Sequence, residues 1–389
     1  MVKKRLTDVL FLSVILLLLL AGLVRTLFFP KELNTYENRY AQKAPALSVS
    51  GFLNGSYQSD LDAALADQVP LSQYAKKLYN LGTSALMESM VLPIAQSHPN
   101  RYINIFGLRL FNGTHLTYYT NILSDRIPGL DEKAENYNQV FAQHPDTEFY
   151  VYFIEKDTDI DFETGEKVGI YEYLAGQLNL PEERIARYRI DSFDQFSQWF
   201  YRTDHHWNAQ GSYEGYLQVL ELLGVAEQPL THDGLVTVSQ HFSGSKASSA
   251  PSLSEPFSVY PYDFPEMDIV INGAPAADYG NQDAWLSGQG TGAISYSAFY
   301  GGDMGEIIFD TGTQGRGSLL VIGESFDNAI LKLLASHFDR LYSIDLRYYE
   351  AYMGTAFSLS DYLEQHQPDR VLLIGNADYF ASQDFLLED

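Results

Sequence analysis

Three short apolar runs punctuate the end of the chain: S-L-L-V-I at Ser318–Ile322, R-L-Y-S-I at Arg340–Ile344 and R-V-L-L-I at Arg370–Ile374. A strand with one face in water alternates apolar and polar residues, whereas runs this uniformly apolar read as strands covered on both faces. Helical stretches separate them, at about Asp327–His337 and about Ser358–His366. Strands alternating with helices imply a parallel sheet, because each crossover must return the chain to the edge from which it started. Upstream, F-Y-V-Y-F-I (Phe149–Ile154) and R-Y-R-I (Arg187–Ile190) supply further strands, and Val168–Leu178 and Asn208–Leu223 have helical spacing. The expectation is an α/β fold, a parallel sheet with helices on both faces.

Two regions depart from that pattern. Residues 226–317 are rich in Gly, Ser, Pro and aromatics, with short strand-like runs such as M-D-I-V-I and E-I-I-F-D. So long an interval reads as a β-rich insertion rather than a linker, with a mobile loop near 243–256. At the other end, K-K-R precedes the apolar run from Val9 to Phe29, interrupted near its end by Arg25 and Thr26. About 20 apolar residues span a bilayer core, and an arginine near the end can reach the interface. The expected organisation is a cytoplasmic tail at 1–8, a single transmembrane anchor at 9–29, a stalk at 30–50 and an ectodomain at 51–389. Lys3, Lys4 and Arg5 hold the N-terminus in the cytoplasm. Cleavage of the segment as a signal peptide would give a secreted form instead. Two helices open the ectodomain, one from Phe52 and one at about Ser72–Met87, divided by Pro70.

The formal net charge of −25 argues against a nucleic-acid partner, whose phosphates need a basic surface. Cysteine is absent, which removes disulfides, thiolate nucleophiles and Cys-ligated zinc.

The chemistry-bearing residues lie in two places. T-D-H-H-W-N-A-Q-G (Thr203–Gly211) sets Asp204, His205, His206 and Trp207 side by side in a chain with nine histidines. G-E-S-F (Gly323–Phe326) follows an apolar strand, placing Ser325 at the carboxyl end of a parallel strand, where open α/β sheets hold ligands. A serine there is commonly a helix N-cap. It becomes a nucleophile only if a base takes its proton, and histidine near neutral pH is the usual base. That base needs a carboxylate to fix its tautomer. Asp204 and His206, two positions apart before a helix, supply the pair; His205 is then free for substrate or structure. Asp204, His205 and His206 also raise the possibility of a metal site, although adjacent ligands in one loop need distant partners. Weaker candidates for substrate or oxyanion contact are Trp207, which would stack on a sugar or anchor its loop, Asn376 and Arg347. Arg347 suits an ion pair with Asp345 better, and Lys156 reads as a solvated lysine at a strand end.

These motifs resemble those of the bacterial DHHW proteins. The resemblance rests on T-D-H-H-W-N-A-Q-G, on Glu37-Asn38-Arg39 with Pro45, on Gly55, Asp67-Gln68 and Pro70, and on G-E-S-F and I-D-L-R-Y-Y (Ile344–Tyr349). That family is similar to the SGNH-like domains of the alginate O-acetyltransferases, in which an Asp-x-His motif precedes the serine. The resemblance implies an SGNH-hydrolase-like sheet, with Ser325 as nucleophile, His206 as general base and Asp204 as its orienter, and it implies no cofactor. The turn reads G-E-S rather than G-D-S. No G-x-N-D block stands in its usual form, Gly375-Asn376-Ala377-Asp378 being the nearest.

The expected function is therefore a serine-dependent O-acyl transferase or esterase outside the cytoplasm, acting on cell-surface polysaccharide. An integral-membrane acyltransferase is the partner that related systems imply. The alternative is a non-catalytic carbohydrate-binding or scaffold protein of the cell envelope, which the aromatic-rich insertion and the negative charge would suit.

Overall fold

In the computed structural model, residues 2–29, 33–34, 39–40, 43, 46, 48, 51–52, 56–68, 72–105, 107–249 and 253–388 are described. They form two compact units, Met1–Leu86 and Met87–Asp389. The first contains helices Val2–Phe28, Ser56–Gln68 and Ser72–Leu86 and a short antiparallel pairing of Leu33–Asn34 with Arg39–Tyr40. Among the described residues no helix is long and apolar enough to cross a membrane. The side chains of residues 1–8, and of Thr26 and Leu27 within the expected anchor, lie outside the described residues, as do Glu37, Asn38, Pro45, Gly55 and Pro70.

The second unit is built on an eight-stranded sheet. In chain order its strands are β1 (Glu148–Ile154), β2 (Ile185–Tyr188), β3 (Asp268–Ile271), β4 (Ala274–Ala276), β5 (Glu306–Asp310), β6 (Ser318–Ile322), β7 (Arg340–Ile344) and β8 (Arg370–Asn376). In space they run β4-β3-β5-β7-β6-β8-β1-β2. The five strands β7, β6, β8, β1 and β2 pair in parallel throughout. Their apolar character follows from burial on both faces: positions alternate between two separate cores. Tyr150, Tyr152, Ile154, Leu319 and Val321 face one core, which holds Phe196, Tyr216, Val219 and Leu334. Phe149, Val151, Phe153, Leu320 and Ile322 face the other, which holds Leu130, Tyr137, Leu174 and Leu363. Helices Phe193–Trp199, Ala209–Leu222 and Leu331–Ala335 thus cover one face, and Leu123–Gln143, Ile170–Gln177 and Leu359–His366 the other.

The sheet is mostly but not wholly parallel. β5 pairs antiparallel with β7, β3 with β5 and β4 with β3, so strands from the 226–317 interval extend the main sheet. The remaining strands of that interval, Val236–Phe242 and Glu255–Val259, form a separate antiparallel ribbon. The second strand sits at Ile185–Tyr188, slightly earlier than the expected Arg187–Ile190. The expected helix at 327–337 is broken into a 3-10 turn, Asp327–Ala329, and a single short helix, Leu331–Ala335.

Two of the elements that were not anticipated bear on the packing. A three-stranded antiparallel sheet (Tyr102–Ile105, Leu108–Phe111, His115–Thr117) turns at Asn112-Gly113, whose φ values of 53° and 68° suit that dipeptide. Helix Leu123–Gln143 holds Pro128, and it survives because Leu130, Ala134, Tyr137 and Phe141 form a continuous buried stripe at helical spacing.

Candidate active site

The segment carrying Asp204 and His206 is a loop closed at its base. Phe200 and Trp207 pair across it as an isolated antiparallel bridge, Asn208 N–H donates to Trp199 O at 2.8 Å, and Tyr201 N–H donates to His206 O at 3.3 Å. Asn208 then caps the following helix, its Oδ1 accepting from Gln210 N–H and Gly211 N–H at 2.9 and 3.1 Å. Glu255 grips the loop from the ribbon: its Oε1 accepts from Thr203 N–H at 2.8 Å and from the Thr203 hydroxyl at 2.9 Å, and its Oε2 from Arg202 N–H at 3.1 Å.

Trp207 is fully buried and supports the loop from beneath. Its ring meets Gly215 of the next helix so closely that a Cβ there would lie 2.5 Å from the indole. It is a core aromatic, and a sugar has no access to its face.

Ser325 comes from the turn after β6. Gly323 is required there, since a Cβ would fall 2.3 Å from Asp327 Oδ2 and 2.7 Å from Ile374 Cγ2. The turn delivers Ser325 Oγ to within 2.8 Å of His206 Nε2, and His206 Nδ1 lies 2.6 Å from Asp204 Oδ1. All three side chains are buried or nearly so, with Ser325 9% exposed. Asp204 Oδ1 also accepts from His206 N–H at 3.0 Å and Oδ2 from Ser245 N–H at 2.7 Å. Burial alone would raise the Asp204 carboxyl, but His206, His205 and the Ser245 N–H outweigh it and hold the group below the usual carboxylate range. An ionised Asp204 accepts a hydrogen bond from Nδ1–H, which leaves the Nε2 lone pair for the Ser325 hydroxyl. The row therefore has the polarity that general-base activation of a serine needs.

His205 packs beside this row without joining it, its ring centroid 3.8 Å from that of His206. Its Nδ1 lies 2.6 Å from Ser245 Oγ, and its side chain remains 28% exposed. Burial, reinforced by neighbouring His206, pulls its pKa down to about 2, so it is a neutral imidazole at physiological pH. Asp204, His205 and His206 are close enough to share a metal ion. The Asp204 carboxylate and His206 are engaged in the hydrogen bonds just described, which is the donor pattern of an acid–base pair.

The weaker candidates resolve individually. Arg347 forms a two-pronged pair with Asp345, Nε to Oδ1 at 2.9 Å and Nη2 to Oδ2 at 2.6 Å, and approaches Glu324 at 3.8 Å. Asn376 donates from Nδ2 to Glu324 and accepts from Asp378 N–H at 2.7 Å, capping a short helix; both ends of its amide are engaged. Among the described residues no hydrogen bond takes up Ser325 N–H, which leaves that group as the candidate donor to an oxyanion. Lys156 is buried rather than solvated, paired with Asp378 at 2.8 Å. Tyr201 is buried on Phe257, and Arg202 donates to Ser254 O at 3.0 Å; both serve the loop.

Two contributors escaped sequence reading. Gly244-Ser245 closes over Asp204: a Cβ on Gly244 would lie 2.3 Å from Asp204 Cβ. The expected mobile loop is here a 3-10 turn, Ser245–Ser249, packed on the site, while residues 250–252 lie outside the described residues. The clustered S-G-S was the available signal, read as flexibility. Tyr296 lies flat on His206, the ring centroids 3.8 Å apart and the planes within 2°. Nothing local in its sequence marks it.

Fold and site together define an α/β protein with a hydrogen-bonded serine, histidine and aspartate at the carboxyl ends of parallel strands. Residues 155–344 match the family model described as DHHW protein. Among solved structures, PatB1 of Bacillus cereus with a sulfonyl adduct superposes with a TM-score of 0.54 at 16% identity, covering 74% of this chain and 99% of that one. A second PatB1 structure gives 0.53 at 16% identity over 73% and 99%. A DHHW family protein from Eubacterium siraeum gives 0.52 at 15% identity over 72% and 94%. At these identities the likeness is one of fold. No curated protein matches the chain.

Proposed function

We propose that this protein is a serine-dependent O-acyl transferase or esterase that works through an acyl-enzyme. The single observation carrying this reading is the unbroken row from Asp204 Oδ1 through His206 to Ser325 Oγ, at 2.6 and 2.8 Å. In the proposed cycle Ser325 Oγ attacks the acyl carbonyl carbon as its proton passes to His206 Nε2. The carbonyl oxygen becomes an oxyanion beside Ser325 N–H. Collapse expels the donor alcohol, which takes the proton from His206 and leaves an ester on Ser325. A second hydroxyl, from a sugar or from water, then gives its proton to His206 and attacks that ester, and Ser325 leaves with the proton. Transfer and hydrolysis differ only in which hydroxyl enters.

The acyl group we propose is acetyl and the acceptor a cell-surface polysaccharide, supported by the resemblance to O-acetyltransferase domains. The same reading places the site outside the cytoplasm, beside an integral-membrane acyltransferase. In support, the leucines of the N-terminal helix are broadly exposed, Leu10 and Leu17 each at 67%, and lipid is the apolar phase that would cover them.

The test is acetate release from p-nitrophenyl acetate by the purified protein, with and without added glycan. Turnover that depends on Ser325 supports the reading, and labelled glycan distinguishes transfer from hydrolysis. A wild-type protein that releases no acetate above buffer sinks it. Membrane fractionation with external protease tests the placement.

A further inference from the structure

We propose that Tyr296, contributed by the 226–317 interval, is a positioning residue for the base: its ring holds the His206 imidazole in the plane that joins Asp204 to Ser325. The inference deepens the acyl-transfer reading and rests on it only for the identity of the reaction, not for the geometry.

A histidine base has two points of attachment in this site, Nδ1 to Asp204 and Nε2 to Ser325. The ring can still swing about Cα–Cβ and Cβ–Cγ by stretching those two hydrogen bonds, and a swung ring turns its lone pair away from the serine. Tyr296 opposes that motion. Its ring lies 3.8 Å from the imidazole with the planes 2° apart, on one face. Phe326, at 5.0 Å and 55°, and His205, at 3.8 Å and 36°, also pack against the imidazole. Tyr296 is itself fixed at its far end, where its hydroxyl donates to Phe326 O at 3.2 Å and accepts from Trp207 Nε1–H at 3.3 Å. Phe326 follows the nucleophile and Trp207 follows the base. One side chain thus ties the two halves of the site together through their backbone neighbours. Its own helix, Tyr296–Tyr300, is anchored by Ser295, whose side chain accepts from Ala298 N–H at 3.0 Å.

The experiment uses the whole protein and phenylmethylsulfonyl fluoride, read as mass added to Ser325. In that reaction the Ser325 O–S bond forms, the S–F bond breaks, the proton passes to His206 and fluoride leaves. The rate is measured for wild type, Tyr296→Phe and Tyr296→Leu, with p-nitrophenyl acetate turnover in parallel. Tyr296→Leu is expected to lose roughly 10- to 100-fold in sulfonylation rate and in kcat, with little change in KM. Tyr296→Phe keeps the stack and should stay within a few-fold of the wild-type rate. A Leu variant with the wild-type rate overturns the assignment, and so do a Phe variant whose rate falls as far as that of Leu and a Leu variant whose loss lies in KM rather than kcat. Wild type that is sulfonylated at Ser325 but does not turn over acetate esters removes the esterase reading and leaves Tyr296 to be decided by the same two variants. Wild type that is not sulfonylated at Ser325 removes both.

Discussion

His206 Nε2 stands 2.8 Å from Ser325 Oγ although 119 positions separate the two residues in sequence. Groups that act as one device lose function together, so their removal is not additive. Ser325→Ala and His206→Ala should each reduce kcat/KM for p-nitrophenyl acetate by on the order of 10⁴-fold or more, and the double variant should be no worse than either. Losses that multiply would show that the two residues act separately.

Gly244 lies against Asp204, with only 2.3 Å between its would-be Cβ and Asp204 Cβ. Gly244→Ala must push the Asp204 loop or the Ser245 N–H out of place. A displacement on the ångström scale costs roughly 100-fold in rate, so kcat should fall by about that factor while the overpacked site loses about 1–3 kcal/mol. Steady-state kinetics beside chemical denaturation would check it; an unchanged kcat would mean that the turn yields freely.

Trp207→Ala tests whether the tryptophan of the motif binds ligand or builds structure. The indole is fully buried against Tyr188, Phe326 and Gly215. Truncation should destabilise the fold by about 3–5 kcal/mol, as for other large aromatic-to-alanine changes in a core. A variant of normal stability whose glycan KM alone rises would refute the structural role.

Asp159 introduces a pH dependence of stability. Burial raises its pKa to about 7, even though Oδ2 accepts from Lys156 N–H at 3.0 Å; its Oδ1 has no partner among the described residues. A carboxyl with a raised folded pKa binds more protons folded than unfolded between about 4 and 7, so its contribution to stability declines as pH rises through that window. Asp159→Asn removes this term. The variant's stability relative to wild type should increase from pH 4 to pH 7 in paired denaturation curves, and parallel curves would count against the assignment.

The parallel strands and the Asp204–His206 pair were legible because each is written locally. Ser318–Ile322 and Arg370–Ile374 are apolar at nearly every position, and the acid and base share one five-residue stretch, Thr203–Trp207. What stayed hidden depends on contacts between distant segments. Ser245 reaches Asp204, and Tyr296 reaches His206, only because the 226–317 interval folds back over the site. Its strands β5 and β3 read as short runs whose partners sequence does not name. Helix Leu123–Gln143 was masked by Pro128, a residue whose local penalty is offset by the long buried stripe around it. Lys156 looked solvated because its partner, Asp378, lies 222 positions away.

The last strand, β8, lies between β6 and β1 rather than at an edge. On one side of it stands the strand leading to Ser325, and on the other the pair from which the chain proceeds to Asp204 and His206. The C-terminal segment is consequently the seam between two halves that each hold part of the apparatus. Without β8 the strand leading to Ser325 and the pair leading to Asp204 and His206 have no common neighbour, so all three side chains could be present and still not meet. A stop codon just before Arg370 should abolish activity while deleting none of the three.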